Sequence, residues 1–94
     1  MRGIQFSWNE IKAAINRDKH GVAFEEARTC FDDLQQVAWY DPDHSDDEDR
    51  ELLIGHSSAG RLLIVSYTAR GSGVRIISAR RATPREARTY AQGI

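Results

Sequence analysis

The chain has 94 residues, 40% of them hydrophobic, and a formal net charge of −1, which allows one modest core and not two. No apolar run approaches the roughly 20 residues of a membrane span, and nothing resembles a signal peptide. Cys30 is the only cysteine, which excludes an intramolecular disulfide and makes a reducing, cytoplasmic setting the expectation. The near-neutral total hides an asymmetry. Through residue 50, twelve acids face six bases, a balance of −6; beyond it, seven arginines face two glutamates, a balance of +5. Guanidinium forks match phosphate and carboxylate geometry, so the second half is expected to meet an anionic partner.

Gly3 to Phe6 reads as a short first strand. Ser7-Trp8-Asn9-Glu10 has capping-box spacing and opens a helix on which Ile11, Ala14 and Ile15 form a narrow apolar stripe. Gly21 is a left-handed terminator, and Lys19 and His20 before it suit the negative end of the helix dipole. A second helix puts Phe24, Ala27 and Phe31 on one face, Glu25 and Glu26 in its first turn, and ends at Asp32-Asp33. Gln36 to Tyr40 is a predicted strand with Val37 and Trp39 on one side. An acidic loop, Asp41 to Asp49, precedes two predicted strands, Arg50 to Ser57 and Arg61 to Thr68, joined by a Ser58-Ala59-Gly60 turn.

Gly71-Ser72-Gly73 leads into Val74 to Arg81, whose alternating Val and Ile suit an interior strand and whose end carries two arginines. Thr83-Pro84-Arg85-Glu86 then starts a last helix, to about Gln92. Thr83 caps it, Pro84 takes a position where a missing N–H costs nothing, and Glu86 reaches back. The predicted order is β-α-α-β-β-β-β-α, an α+β fold over one domain, residues 1–94. It pairs an antiparallel sheet with helices packed on one face.

The acidic loop invites a calcium reading, since Asp41, Asp43 and Ser45 fall at alternating positions. Asp46, however, stands where such a loop needs Gly, and Leu52 where it needs the closing Glu. His20, His44, His56 and Cys30 show no paired zinc-ligand spacing. Gly71-Ser72-Gly73 lacks the helix and lysine of a phosphate loop, no serine lies in a nucleophile elbow, and Cys30 falls on an apolar helix face. Neither a metal nor a cofactor is predicted.

What remains is a set of titratable and cationic side chains: Lys19, His20, Glu48, Arg50, Arg70, Arg80 and Tyr90. Metal-free RNA cleavage needs such a set. A base takes the 2′-hydroxyl proton, cations stabilise charge on the phosphate, and an acid protonates the leaving oxygen. Taken singly, most have an ordinary reading: His20 ends a helix, Glu48 pairs with Arg50, and Tyr90 is half-buried packing. Only Arg80, at the open end of a buried strand, argues for a site by itself.

Several segments together are more specific. Phe6-Ser7-Trp8-Asn9, the run from Asn16 through Lys19-His20-Gly21-Val22 to Ala27, and Phe31-Asp32-Asp33 resemble the BrnT toxin family. So do Glu48-Asp49-Arg50, Gly55 and Ile76-Ile77-Ser78-Ala79-Arg80-Arg81-Ala82, followed by Glu86 and Tyr90. The resemblance covers almost the whole chain, in order. It implies a RelE-like toxin of a bacterial type II toxin–antitoxin pair, a metal-independent endoribonuclease that cleaves RNA and inhibits translation. It also implies a BrnA-like ribbon-helix-helix antitoxin, with two toxins on an antitoxin dimer that binds operator DNA, and no membrane.

The family's basic and acidic positions map to Lys19, His20, Glu48, Arg50 and Arg80, with Arg70, Arg61 and Tyr90 also corresponding. On this resemblance Arg80 and Arg70 are expected to hold the scissile phosphate and Glu48 or His20 to act as base. Lys19 or Tyr90 would assist the leaving group, and Arg50, Arg61 and Arg81 would contact RNA. Ala23 departs from the family, which usually carries a capping Ser there; such a change typically costs about 1 kcal/mol of helix stability. The acidic loop is also denser in charge than an RNA path suggests. The alternative is a non-catalytic module whose arginine half docks an acidic antitoxin helix or nucleic acid and acts as co-repressor at operator DNA.

Overall fold

A computed structural model of the chain describes residues 4–44 and 49–93. Its five strands are β1 (Gln5–Ser7), β2 (Val37–Tyr40), β3 (Glu51–His56), β4 (Leu62–Arg70) and β5 (Gly73–Arg81), forming one sheet in the order β1-β5-β4-β3-β2. Strands β2 to β5 make the antiparallel meander that their short connections predict, and β1 joins the β5 edge in parallel. The Val74 stretch is therefore interior only where β1 flanks it, at Gly73 to Arg75; farther on, the Asn16 side chain bonds the open side of the strand at Ala79. At its start β1 comes so close that a Cβ on Gly73 would lie 2.6 Å from the Gln5 carbonyl oxygen, and only glycine permits that approach.

Three helices accompany the sheet: α1 (Glu10–His20), α2 (Phe24–Thr29), which runs on into a 3-10 turn over Cys30–Asp32, and α3 (Pro84–Gln92). Gly21 ends α1 in the left-handed region at φ 68°, its N–H donating to the Arg17 carbonyl. Ala23 opens α2 without any side-chain cap, as its substitution for Ser predicts. The start of α1 differs from the sequence reading. Its cap is Asn9, whose Oδ1 accepts from the Lys12 N–H at 3.0 Å, and not Ser7.

The apolar stripe of α1 also differs. Ile11 and Ile15 are 73% and 58% exposed, and Ala13 and Asn16 face the sheet instead. Asn16 sets that rotation. Its amide donates to the carbonyls of Val22 (2.9 Å) and Ala79 (2.8 Å) and accepts from the Ala79 N–H (3.1 Å), bonds that would be lost if the isoleucines turned inward.

Neighbouring side chains on a strand point to opposite faces, and this divides the molecule. Leu53, Leu63, Val65, Ile76 and Ala79 pack beneath Ala13, Val22, Phe24, Ala27 and Cys30. Each fully buried large side chain there contributes roughly 1.5–3 kcal/mol of hydrophobic stabilisation. Edge-to-face pairs Trp8–Phe24, Phe6–Phe31 and Phe31–Tyr67 extend this core, with centroids 5.9, 5.1 and 5.0 Å apart. Cys30 is fully buried within it, and desolvation pushes its thiol up to about 12.

Ile54, Ile64 and Arg80 project from the other face, where α3 lies. Glu86 of α3 bonds Arg80, and Tyr90 meets His56, which shares Ile54's side of β3. The helices are thus split between two faces, not gathered on one. Ala79 is buried in the core under α1 and α2, so Arg80 next to it points to the opposite face, and Glu86 meets Arg80 on that side. The predicted capping box is present in both directions: Thr83 Oγ1 accepts from the Glu86 N–H (3.2 Å), and Glu86 Oε1 from the Thr83 N–H (2.9 Å). A bulge the sequence does not announce lies in β5. Ser66 pairs with Ser78 but Tyr67 pairs with Ile76, leaving Ile77 as the extra residue.

Candidate functional site

The site grows out of the α3 face of the central strands. Ser78 and Arg80 alternate outward along β5, and the antiparallel register sets Ser66 and Ile64 of β4 directly opposite them. With Leu52 of β3, Arg50 before it, and Asp41 and Asp43 from the preceding loop, these residues line a cavity of about 340 Å³. A second cavity of about 290 Å³ lies beside it. Lys12, Ile15, Asn16, Lys19 and His20 of α1 line it, together with Arg50, Ser78 and the bulged Ile77. Arg50 and Ser78 line both, so the two cavities adjoin.

The charges in the two parts differ. Two guanidinium groups and two carboxylates line the first, whereas the second has two lysines, an arginine and a histidine and no carboxylate among its lining residues. A larger opening of about 440 Å³ sits at Ile4, Gln5, Phe6, Arg28 and Asp32, but a single cation and a single carboxylate line it, which suits no strong anion grip.

Arg80 is held rigidly. Its Nη1 donates to Glu86 Oε1 and its Nη2 to Glu86 Oε2, both at 2.8 Å, and Nη1 also donates to the Arg81 carbonyl at 3.2 Å. These Arg80 hydrogen bonds, helped by the Thr83 N–H and opposed by burial, hold the Glu86 carboxyl down to about 2. The same pairing raises the Arg80 pKa further, so both members stay charged.

The other residues singled out in the sequence fall in different places. Lys19, His20 and Arg50 gather with Arg80 around the two cavities. Arg61 does not. Its Nε donates to Glu26 Oε2 at 2.9 Å and its Nη2 reaches Glu26 Oε1 and the Gly21 carbonyl (3.1 Å), which locks the start of β4 to α2. Arg81 follows Arg80 in the strand and so faces the opposite side, where it helps hold down the Glu26 carboxyl. Arg70 lines a separate opening with Gln5, Ser7 and Ser72 at the β4–β5 turn. From Ile64, opposite Arg80, it is roughly 20 Å along β4. The Tyr90 hydroxyl donates to Asp33 Oδ2 at 2.7 Å and lies 3.1 Å from His56 Nδ1; burial and the Asp33 bond push it up to about 12. Glu48 lies outside the described residues.

Sequence reasoning passes over Lys12, Ser66 and Ser78 as lining residues. Ser78 was readable from its two-residue spacing to Arg80; Ser66 needs the cross-strand register, which one sequence does not supply.

The family described as the ribonuclease toxin BrnT of type II toxin–antitoxin systems matches residues 8–86. The chain belongs to the BrnT toxin family. Its fold agrees with a solved structure, the Brucella abortus ribonuclease toxin BrnT. The two share 25% identity and a TM-score of 0.63, over 85% of this chain and 97% of that one. No curated protein sequence matches the chain significantly. Membership makes this a ribonuclease toxin with an antitoxin partner. All residues lining both cavities fall within the matched stretch, and Glu86 is its last residue.

Proposed function

We propose that this member of the family is a metal-independent endoribonuclease that arrests translation by cleaving RNA, with residues 1–94 acting as one toxin domain. A BrnA-like ribbon-helix-helix antitoxin neutralises it, two toxins riding on an antitoxin dimer that also binds operator DNA. One observation carries the reading: Arg80, Arg50 and the Lys19-His20 pair, from three separate parts of the chain, meet around two adjoining cavities. A single strand crosses Ser78 with its scissile phosphate against Arg80 and Arg50, which neutralise the charge that grows on the phosphoryl oxygens. His20 takes the 2′-hydroxyl proton, the freed oxygen attacks phosphorus, and Lys19 gives a proton to the departing 5′ oxygen. The products are a 2′,3′-cyclic phosphate and a 5′-hydroxyl. Glu48, two residues before Arg50, is the carboxylate alternative for the base. Arg61, Arg70 and Tyr90 have no chemical role here, because each is engaged or located elsewhere.

Induced expression without antitoxin tests this. Wild type should arrest growth and cut RNA to cyclic-phosphate ends, with purified protein still active in a chelator. Arg80→Ala should lose about 100-fold or more in cleavage, the usual scale for deleting a charge-stabilising donor. Harmless wild type with intact RNA would sink the reading. Asp41 and Asp43 line the first cavity together with Arg50 and Arg80, so carboxylates already share it with guanidinium groups; the rival is a non-catalytic module whose arginines dock an acidic antitoxin segment. Under that rival Arg80→Ala lowers antitoxin affinity, whereas the enzyme reading has it lower toxicity alone.

A further inference from the structure

Arg80 has five N–H donors, and the structure assigns three of them: two to the Glu86 carboxylate and one to the Arg81 carbonyl. The Nε–H and the second Nη2 hydrogen have no acceptor among the described residues. These two lie side by side along one edge of the planar guanidinium, and a two-donor edge is what grips two oxygens of a phosphate. Glu86 occupies the other edge, the one between Nη1 and Nη2. It is itself held, because its Oε1 also accepts from the Thr83 N–H at the start of α3.

We infer that Glu86 is a positioning residue, fixing the Arg80 guanidinium so that its Nε/Nη2 edge is presented to the cavity as a ready-made grip for a substrate phosphate. This rests on the RNA-cleaving reading above and adds a residue to it. The contact is not a block, since Glu86 leaves the gripping edge open and its own cap ties it to the helix. A long arginine side chain fixed in advance loses less freedom when the phosphate arrives.

The inference predicts an effect of unexpected sign. Removing an acid beside a nucleic-acid site ordinarily strengthens binding; here it should weaken it. In Glu86→Gln the side-chain oxygen can still accept from Thr83, so the cap survives. Its amide NH₂, however, meets an arginine N–H donor to donor, and the fork is lost. Glu86→Asp keeps the charge but is one methylene too short for the fork.

Fluorescence anisotropy with a short, labelled 2′-O-methyl single-stranded RNA, which cannot be cleaved, reads the effect. Glu86→Gln, Glu86→Asp and Arg80→Gln should each weaken binding about tenfold, and the Glu86→Gln/Arg80→Gln double variant no further than the worse single change. In parallel, the Arg80 Nε–H resonance should move on titration with inorganic phosphate in wild type and stay still in Glu86→Gln. Tighter or unchanged binding by Glu86→Gln overturns the inference, as does an Arg80 Nε–H that ignores both phosphate and RNA. A moving resonance and coupled binding in a protein that cuts no RNA would sink the ribonuclease reading alone and leave the role of Glu86 standing.

Discussion

Asn16 is a polar residue doing the work of a core side chain. It is 6% exposed, and its amide closes three hydrogen bonds that tie α1 to β5 and to the Val22 carbonyl. Asn16→Ala would leave two carbonyls and one N–H buried without partners, at about 1 kcal/mol or more each. A total near 3 kcal/mol should lower the melting midpoint by more than ~10 °C in a chain of this size. Calorimetry checks it, and a shift of only a degree or two would mean that the backbone groups find other partners. Nothing in the sequence separates this asparagine from a surface one, because its partner Ala79 is far away in the chain. Arg80 was legible by contrast, since strand alternation and a strand end are local features. Arg61 was not. It reads as one more arginine of a basic half until folding delivers Glu26 to it.

Among the three helices α3 depends most on specific contacts, since it alone has no buried residue. Glu86 near its start grips Arg80, and Tyr90 one turn later grips Asp33 beside His56. Tyr90→Phe removes the second anchor. It should cost about 1–2 kcal/mol and speed amide exchange at the end of α3 while the amides of β4 stay protected; equal exchange along the helix would mean apolar packing suffices. The first anchor is acid-sensitive. Glu86 has a carboxyl depressed from 4.5 to about 2, so its contribution to stability is fully present above about pH 4.5 and is lost as pH falls towards 2. The stability gap between wild type and Glu86→Gln should therefore be constant at neutral pH and close across that acid window. A gap that persists at pH 2 would mean the carboxylate is not its source.

The start of α3 was readable because a capping box spans only a few residues. The orientation of α1 and the β5 bulge were not, because cross-sheet partners decide both.

At the scale of the whole molecule, the charge asymmetry of the two halves does not survive as two charged sides. Folding pairs Arg61 with Glu26 across the halves, and it sets Lys12, Lys19 and His20, all from the acidic half, beside Arg50 and close to Arg80. Composition thus points to an anionic partner but not to its path, and that path is measurable. Each cation that neutralises an RNA phosphate steepens the dependence of binding on salt, by about 0.7 in the log–log slope for a single strand. Lys19→Ala and Arg50→Ala should each flatten the slope by about that amount and weaken binding evenly across RNA sequences. Arg61→Ala should lower stability and leave the slope alone. Arg70→Ala should also leave it alone, because Arg70 lies at the far end of the β4–β5 hairpin, roughly 20 Å along β4 from the pair to Arg80. If Arg70→Ala flattens the slope as much as Arg50→Ala does, the strand runs along the hairpin rather than across Ser78 to α1. His20 and Lys19 then stand away from the scissile bond, and the chemistry must be sought nearer the turn.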